Sequence, residues 1–341
     1  MKNIIIIALF FLVNFSFSQE VVEKEDLKVG LVLSGGGAKG FAHVAVIKVL
    51  EEAGVRVDYI GGTSIGAVVG SLYASGYNSY QLDSIVKAID FYKLLTNDLP
   101  RKSKPFYEKE SGEKYALILP IKNKFFWIPT ALSEGQNVLN LLTKLTQHVN
   151  NIDDFSEFPI PFLCIATNLE TGEQEVLRKG FLPEAVKASG SFPTLLAPVE
   201  IDGKLLTDGG IVNNFPVDEV KAMGADIIIG VDIQSGLKDK SELDSAVEIL
   251  NQIVGFQIQT SNDSIHTNVD VLIKPELKGF NIVSFDKIQE IMYAGEIATR
   301  EKIDQLKNIA SRQIKRETQK INVGHMRKFH IKKIEIDGNI H

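Results

Sequence analysis

The fold is decided by a glycine-rich stretch near the start of the chain, LKVGLVLSGGGAKGFAHVAVIKVLEEAGVRVDYIGGTSIGAVVGSLYASG, residues 27–76. Two apolar, β-branched runs, 29–34 and 55–60, each end in a glycine-rich turn, and both predict buried strands. Apolar residues then recur at helical spacing over 41–53 and over 67–74. Strand, turn and helix, repeated in this order, predict an α/β fold whose parallel sheet is covered by helices.

Later segments extend the predicted sheet. The apolar runs with the composition of buried strands are 162–168, 225–233 and 269–275. Residues 199–207 alternate between apolar and polar around Asp202-Gly203, a dipeptide that favours a tight hairpin turn. The last long pattern, 285–310, is amphipathic and predicts a helix.

Bulk composition narrows the classes of function. The 341 residues carry a net charge of −6, which argues against a nucleic-acid-binding protein, because such proteins need a basic face. Cys164 is the single cysteine, so the chain can form neither an internal disulfide nor a cysteine metal site. Because Cys164 lies in an apolar run without a neighbouring base, we predict a buried core residue rather than a nucleophile.

The first 18 residues have the pattern of a signal peptide. Lys2 precedes an apolar run over 4–13, and Ser16 and Ser18 supply the small residues that a signal peptidase recognises. The apolar run is about half as long as a membrane-spanning helix requires. We therefore expect residues 1–18 to direct export, with a buried N-terminal strand or an uncleaved anchor as the alternative.

The second glycine turn contains the pattern Gly62-x-Ser64-x-Gly66 between a predicted strand and a predicted helix. This is the setting of a nucleophile elbow, in which a sharp turn exposes a serine hydroxyl. Glycines on both sides remove clashes in such a turn, and the following helix directs its positive dipole end at Ser64. The alternative is that Ser64 only caps the helix.

The first glycine turn, Gly35 to Gly40, fits two kinds of site. It matches the G-x-G-x-x-G fingerprint of dinucleotide-binding folds, but that fingerprint needs an acid at the end of the second strand. The only nearby acid, Asp58, lies near the start of that strand. The turn can also form an oxyanion hole, because glycine N–H groups can point at an ester carbonyl oxygen. Since both glycine turns follow adjacent parallel strands, we expect them to face one crevice, which favours the oxyanion hole.

A serine nucleophile needs a base, and the sequence favours Asp208. This residue follows a predicted strand, and Gly209 and Gly210 permit a sharp turn that exposes its carboxylate. Asp232, at the end of another predicted strand, is the reserve candidate. The histidines lack a supporting local pattern, although a chain order of Ser, Asp and His would allow His266.

Four motifs occur in order along the chain. They are GGGAKG (35–40), GTSIG (62–66), ASGSFPTLLAPV (188–199) and DGG (208–210). Together they resemble the patatin-like phospholipase family, and the resemblance covers residues 27–310. It implies a three-layer α/β/α fold with a mostly parallel central sheet. It also implies a phospholipid or another acyl ester as substrate, a membrane surface as partner, and no metal, cofactor or nucleic acid.

The resemblance also implies a role for each motif. Ser64 would be the nucleophile and Asp208 the general base of a Ser–Asp dyad that needs no histidine. The oxyanion hole would comprise the loop residues Gly35, Gly36, Gly37, Lys39 and Gly40. The turns around the two dyad residues would depend on Gly62, Gly66, Gly209 and Gly210. A catalytically silent lipid- or protein-binding export module of the same fold is the alternative function.

The implied organisation is a signal peptide over 1–18, a patatin-like domain over 19–311 and a basic segment over 312–341. Exported bacterial members often continue into a periplasmic domain and an outer-membrane barrel. Residues 325–341 resemble the opening strand of such a periplasmic, POTRA-like domain, with a solvated basic tail as the alternative. The expected location is the periplasm, the outer membrane or the cell surface.

Residues 90–137 lose the strand–helix order and are rich in Lys and aromatic residues. Their alternation predicts a hairpin about residues 122–124. Two interpretations stay open: a peripheral insertion with its own apolar patch, or a lid or apolar mouth for acyl chains.

Overall fold

A computed structural model describes residues 26–97, 121–122, 125–126, 131–243, 245, 248–256 and 266–315. The predicted signal peptide therefore lies outside the described residues. The same holds for most of the predicted C-terminal segment and much of the 90–137 region.

Within the described residues, eight strands form the central sheet. The strands of the described chain are β1 (Val29–Leu33), β2 (Tyr59–Thr63), β3 (Ile121–Lys122), β4 (Phe125–Phe126), β5 (Ala131–Ser133), β6 (Phe162–Asn168), β7 (Gln174–Leu177), β8 (Thr194–Leu196), β9 (Val199–Ile201), β10 (Lys204–Asp208), β11 (Ile227–Val231) and β12 (Val271–Ile273). The sheet order is β12-β11-β1-β2-β6-β10-β9, and β7 pairs with β6. Strands β12, β11, β1, β2 and β6 run parallel. Strands β10 and β7 each pair with β6 in antiparallel fashion, and β9 pairs antiparallel with β10. The prediction of a mostly parallel sheet is confirmed.

Helices cover both faces of this sheet. The helices of the described chain are α1 (Ala42–Ala53), α2 (Ile65–Ala74), α3 (Ser79–Ala88), α4 (Phe91–Leu95), α5 (Gln136–Thr146), α6 (Leu182–Ser189), α7 (Val217–Lys221), α8 (248–256), α9 (Ile288–Arg300) and α10 (Ile303–Ser311). Along β1, Leu31 and Leu33 belong to the large core that includes α1 and α9, whereas Val32 belongs to the smaller core under α7. Because successive strand residues point to opposite faces, the fold has three layers, as predicted.

Two hairpins follow the sequence pattern. Strands β9 and β10 are antiparallel and flank Asp202 and Gly203, whose φ angles of 52° and 74° are the positive values that this turn requires. Strands β3 and β4 also pair in antiparallel fashion, which agrees with the hairpin predicted about residues 122–124.

The second strand begins later than predicted, at Tyr59 rather than residue 55. Side chains fix the preceding segment instead: Asp58 accepts a hydrogen bond from the backbone N–H of Val29 (2.9 Å), and Arg56 donates to Asp58 (2.7 Å). The strand continues through Gly61, where a Cβ would lie 2.3 Å from a methyl group of Val220 on α7. Glycine in β2 therefore permits close packing of α7 on the sheet, in addition to forming the turn.

The helix predicted over 285–310 is divided into α9 and α10. The amide of Lys302 bonds to the carbonyl of Thr299 instead of continuing the α-helical pattern. At Gly295 a Cβ would lie 2.6 Å from the backbone oxygen of Ala42, so α9 crosses α1 at close range. None of the helices described above has the length and apolar composition needed to span a membrane.

Candidate active site

Ser64 occupies the turn between β2 and α2 in a strained conformation. Its φ of 55° and ψ of −123° lie outside the regions that non-glycine residues prefer, at a typical cost of about 1–3 kcal/mol. Its side chain makes no capping hydrogen bond to α2. Instead, Ser64 Oγ donates to Asp208 Oδ2 over 2.6 Å. Ser64 therefore occupies the N-cap position of α2 without capping it through the side chain, and the strained turn presents the hydroxyl to a carboxylate.

The glycines flanking Ser64 allow the turn to pack tightly. A Cβ at Gly62 would lie 2.5 Å from the backbone of Gly66, and a Cβ at Gly66 would lie 2.2 Å from the carbonyl oxygen of Leu33. Ser189, at the end of α6, accepts a hydrogen bond from the Ser64 amide through its hydroxyl oxygen (3.0 Å). These contacts fix the position of Ser64 from both sides of the turn.

Asp208 ends β10 as a buried carboxylate. Its Oδ1 accepts a hydrogen bond from the Gly210 amide (2.7 Å), while Oδ2 accepts from Ser64. Burial raises its pKa to about 6, although the hydrogen bonds from Ser64 and Gly210 lower it. A Cβ at Gly209 would lie 2.2 Å from the carbonyl oxygen of Ile165, so this turn requires glycine. With its pKa near 6, Asp208 is ionised at neutral pH and can still accept a proton.

The loop after β1 lies next to Ser64. A Cβ added at Gly35 would lie 3.0 Å from the Cβ of Ser64. The Gly35 amide donates to Asn214 Oδ1 (3.2 Å). Gly36 and Gly37 come next, at the start of a 3₁₀ turn over Gly37–Phe41. Amides at the start of such a turn have no acceptor within it, which leaves them suited to an external oxygen.

The two remaining loop residues differ in position. Lys39 lines the cavity beside Ser64, is nearly buried, and donates from Nζ to Ser235 Oγ (3.2 Å). Burial, with a smaller effect of Lys238, lowers the pKa of Lys39 to about 8. Gly40 is not among the residues that line the cavity, and a Cβ there would lie 2.3 Å from Ile65. Gly40 therefore allows the loop to pack on α2.

The alternative bases hydrogen-bond elsewhere. His43 is buried and bonds through Nε2 to the Ser34 carbonyl (2.9 Å), and burial lowers its pKa to about 4. His266 bonds to Asp232, the reserve carboxylate, over 3.1 Å. The predicted buried position of Cys164 is confirmed, and burial raises the pKa of its thiol. Among the described residues, the hydrogen-bonded partner of the Ser64 hydroxyl is Asp208.

A cavity of about 410 Å³ opens beside Ser64 and Asp208, a size typical of ligand sites. One part is apolar and is lined by residues of α2, α3, α4 and α5, together with Phe41, Phe192 and Phe285. Along α2, the lining residues are Ile65, Val68, Val69 and Leu72. Residues at this spacing lie on one face of a helix, so they form an apolar wall that runs along α2 away from Ser64. We call this apolar part of the cavity the apolar channel.

Part of the 90–137 region contributes to this channel. Phe91 stacks on Phe285 with ring centroids 5.1 Å apart and contacts Phe41 at 4.9 Å. Phe91, Leu94 and Leu95 of α4 all line the cavity. Helix α4, within this region, therefore forms an apolar wall of the cavity.

Three polar residues of the site have no local sequence signal. Ser189 and Asn214 contact the two glycine turns, and Thr167 Oγ1 donates to the backbone oxygen of Asp208 (2.8 Å). Ser189 lies within the ASGSFPTLLAPV motif, which marked the segment without indicating a role for this hydroxyl.

Residues 31–221 match the family model of the patatin-like phospholipases. Lysophospholipase NTE1 of Candida glabrata is 34% identical over 207 residues, covering 61% of this chain and 10% of the relative. Lysophospholipase nte1 of Aspergillus fumigatus is 30% identical over 317 residues, covering 85% of this chain and 19% of the relative. The chain thus spans about a tenth to a fifth of these curated relatives. These fungal proteins do not support the expected bacterial, exported and barrel-linked organisation.

Among solved structures, VipD from Legionella pneumophila has a TM-score of 0.47 at 17% identity, covering 82% of this chain and 67% of that chain. The type III effector protein ExoU has a TM-score of 0.41 at 16% identity, covering 82% and 53%. The family match at residues 31–221 covers more than half of the 341 residues and contains all four sequence motifs. The chain therefore belongs to the patatin-like phospholipase family of lipid ester hydrolases.

Proposed function

We propose that the protein hydrolyses fatty-acyl esters of phospholipids or lysophospholipids through a Ser64–Asp208 dyad and an acyl-enzyme. The observation that carries this proposal is the 2.6 Å hydrogen bond from Ser64 Oγ to Asp208 Oδ2, at a strained strand-to-helix turn beside an apolar cavity. The fungal relatives named lysophospholipases support a substrate with a single acyl chain.

In the first step, Asp208 accepts the hydroxyl proton while Ser64 Oγ attacks the ester carbonyl carbon. The tetrahedral intermediate then collapses, and the departing alkoxide takes the proton from Asp208. Water attacks the acyl-enzyme in the second step and gives its proton to Asp208, which returns it to Ser64 Oγ as the fatty acid leaves. Asp208 thus acts as base, then acid, in each half of the reaction.

The negative oxygen of the intermediate needs hydrogen-bond donors that are already in position. Gly36 and Gly37 are the preferred donors, because the Gly35 amide already donates to Asn214. The role proposed for Gly35 is to allow the loop to approach Ser64, since the gap at this position is too small for a side chain. The positive end of α2 adds a favourable field at the same point.

The apolar channel is proposed to hold the acyl chain. Leu72 lies eight residues after Ser64, which places it about 12 Å farther along the axis of α2. A long acyl chain attached to Ser64 would reach Leu72, whereas a short chain would not.

Leu72→Phe is therefore expected to lower kcat/KM for a p-nitrophenyl ester of a long-chain acid by about tenfold, because the larger ring obstructs the channel. The same variant should hydrolyse p-nitrophenyl butyrate at nearly the wild-type rate. Leu72→Met, which conserves volume, is the matched control and should leave both rates within about threefold. An equal loss on both esters, or no loss on either, would contradict the assignment of the channel.

The pH dependence follows from Asp208. Because the ionised carboxylate accepts the proton, kcat/KM for p-nitrophenyl butyrate is expected to rise with pH and to level off above a midpoint near 6. Initial rates across the acid and neutral range would measure this midpoint, with far-UV circular dichroism at each pH as the control for unfolding. A rate that is independent of pH through this range would contradict the role of Asp208.

Export remains part of the proposal. The signal-peptide pattern of residues 1–18 supports a secretory route, and the expected locations are the periplasm, the outer membrane or the cell surface. The alternative, a catalytically silent binding module, predicts no fatty-acid release from any ester. Release measured on a panel of phospholipids, lysophospholipids and monoacylglycerols separates these two functions.

A further inference from the structure

The cavity has a second, polar part on the side away from the acyl channel. Its polar lining residues include Gln234 and Ser235 after β11, Gln252 on α8, His266 in the 3₁₀ turn before β12, and Lys274 after β12. The catalytic dyad and the acyl channel use none of these side chains. The mechanism proposed above therefore gives these polar side chains no role.

Strand order places this polar part on the alcohol side of the ester. Along one edge of the sheet, Ser64 follows β2, the glycine loop follows β1, Asp232 follows β11, and Lys274 follows β12. Strands in a sheet lie about 4.8 Å apart, so the backbones of β2 and β12 are separated by roughly 14 Å. If the acyl chain lies along α2, as proposed above, the leaving alcohol would extend towards β11 and β12.

Three polar side chains form a cluster at this end. The buried Asp232 accepts from His266 Nε2 through Oδ2 (3.1 Å), and the same oxygen lies 3.6 Å from Lys274 Nζ. His266 is held further by Phe215, whose ring lies edge-on with centroids 5.9 Å apart. The buried carboxylate thus holds a histidine and a lysine at the cavity wall.

The charge balance of the cavity favours an anion. Among the described lining residues, Asp208 is the only carboxylate, whereas Lys39, Lys187 and Lys274 are lysines. At the polar end, Lys39 is bonded to the neutral hydroxyl of Ser235, and Lys274 shares the single carboxylate of Asp232 with His266. Lys238 does not add to this excess, because it pairs with the buried Glu248 at 2.8 Å.

We infer that His266 and Lys274, held by Asp232, form with Lys39 a binding subsite for the phosphodiester of the leaving alcohol. This inference rests on the proposed ester hydrolysis at Ser64, and it makes glycerophospholipids the preferred substrates over neutral glycerides. A glycerophosphodiester holds its phosphate one glycerol unit from the ester oxygen, and the long stem of Lys274 covers part of the remaining distance. Charge-assisted hydrogen bonds to phosphate oxygens would then position the ester at Ser64.

The test compares two substrates with the same acyl chain, palmitoyl lysophosphatidylglycerol and monopalmitoylglycerol. For wild type, we expect a higher kcat/KM on the phospholipid. Lys274→Met should lower the ratio of the two kcat/KM values by about fivefold to tenfold, mainly through KM for the phospholipid, given the partial exposure of Lys274. The double variant His266→Gln/Lys274→Met should lower it further.

Two further variants separate charge recognition from general damage. Lys274→Arg keeps the positive charge and should hold the ratio within about twofold to threefold of wild type. Lys278→Met removes an exposed lysine four residues away that does not line the cavity, and it should leave the ratio unchanged. A ratio that Lys274→Met leaves unchanged, or that Lys278→Met lowers equally, would overturn the subsite.

Glycerol 3-phosphate distinguishes a lipid head group from free phosphate. If the subsite binds phosphate alone, glycerol 3-phosphate should compete with monopalmitoylglycerol, and Lys274→Met should weaken this inhibition. If only the lipid is bound, the substrate ratio responds to Lys274→Met without such inhibition. If the enzyme hydrolyses monopalmitoylglycerol but shows neither the change in substrate ratio nor the inhibition, the subsite alone is overturned. If it hydrolyses neither substrate, the proposed function is overturned.

Discussion

Ser64→Ala is expected to lower kcat for ester hydrolysis by at least about 10⁴-fold, because it removes the nucleophile. The loss of one member of a catalytic unit removes most of the rate enhancement that the whole unit provides. The hydroxyl removed is the one that donates to Asp208 over 2.6 Å. Fatty-acid release from a lysophospholipid, measured for wild type and variant purified in parallel, gives the effect directly.

Ser71→Ala is the matched control. Ser71 is a buried serine on the same helix, does not line the cavity, and donates only to the Val68 carbonyl (3.0 Å). Its loss should reduce stability by about 1 kcal/mol and leave kcat within about twofold. More than about one per cent residual activity in Ser64→Ala would show that another group performs the attack.

Asp208→Asn is expected to lower kcat by about 10⁴-fold or more, since the amide cannot accept the Ser64 proton. Its size is nearly unchanged, and its oxygen can still accept from the Gly210 amide. The control is Asp202→Asn, at the other Asp-Gly pair, where a φ of 52° suits asparagine. Stopped assays of fatty-acid release at neutral pH compare these variants, and near-wild-type activity in Asp208→Asn would contradict its role as base.

Asp208→Asn should be at least as stable as wild type at neutral pH. Burial raises the pKa of Asp208 from its ordinary 3.8 to about 6, so ionisation in the folded protein costs about 3 kcal/mol above that pH. This destabilisation is fully present above pH 6, shrinks as the pH falls from 6 towards 3.8, and is absent below 3.8, where the folded and unfolded forms are both protonated. Asparagine avoids it, so the Tm of Asp208→Asn at neutral pH should equal or exceed that of wild type.

Local pattern was sufficient for the order of elements around the site. The strands at 29–34 and 162–168 and the Asp202-Gly203 hairpin each depend on neighbours in sequence, and the structure has them at or within one residue of the predicted positions. The start of β2 was missed because the ion pair between Arg56 and Asp58 fixes the preceding residues, and apolar patterning does not contain this contact.

The site itself was predictable only as separate motifs. Ser64 and Asp208 are 144 residues apart. The turn sequence around each residue predicted its role, and the fold brings the two side chains into contact. Ser189 and Asn214 gave no such signal, because their contacts with the glycine turns cross 125 and 179 residues and involve common polar side chains. The cluster of His266, Asp232 and Lys274 was not predicted either, because its contacts also join residues that are distant in sequence.

The central claim is that Ser64 is the nucleophile activated by Asp208, and fluorophosphonate labelling tests it most directly. Wild-type protein, active on p-nitrophenyl butyrate, is treated with the probe, and the modified residue is identified by mass spectrometry of peptides. We predict one adduct per chain, on Ser64, that is absent in Ser64→Ala and forms at least about a hundredfold more slowly in Asp208→Asn. An adduct on another residue, or an active enzyme that loses activity without modification of Ser64, would contradict the account.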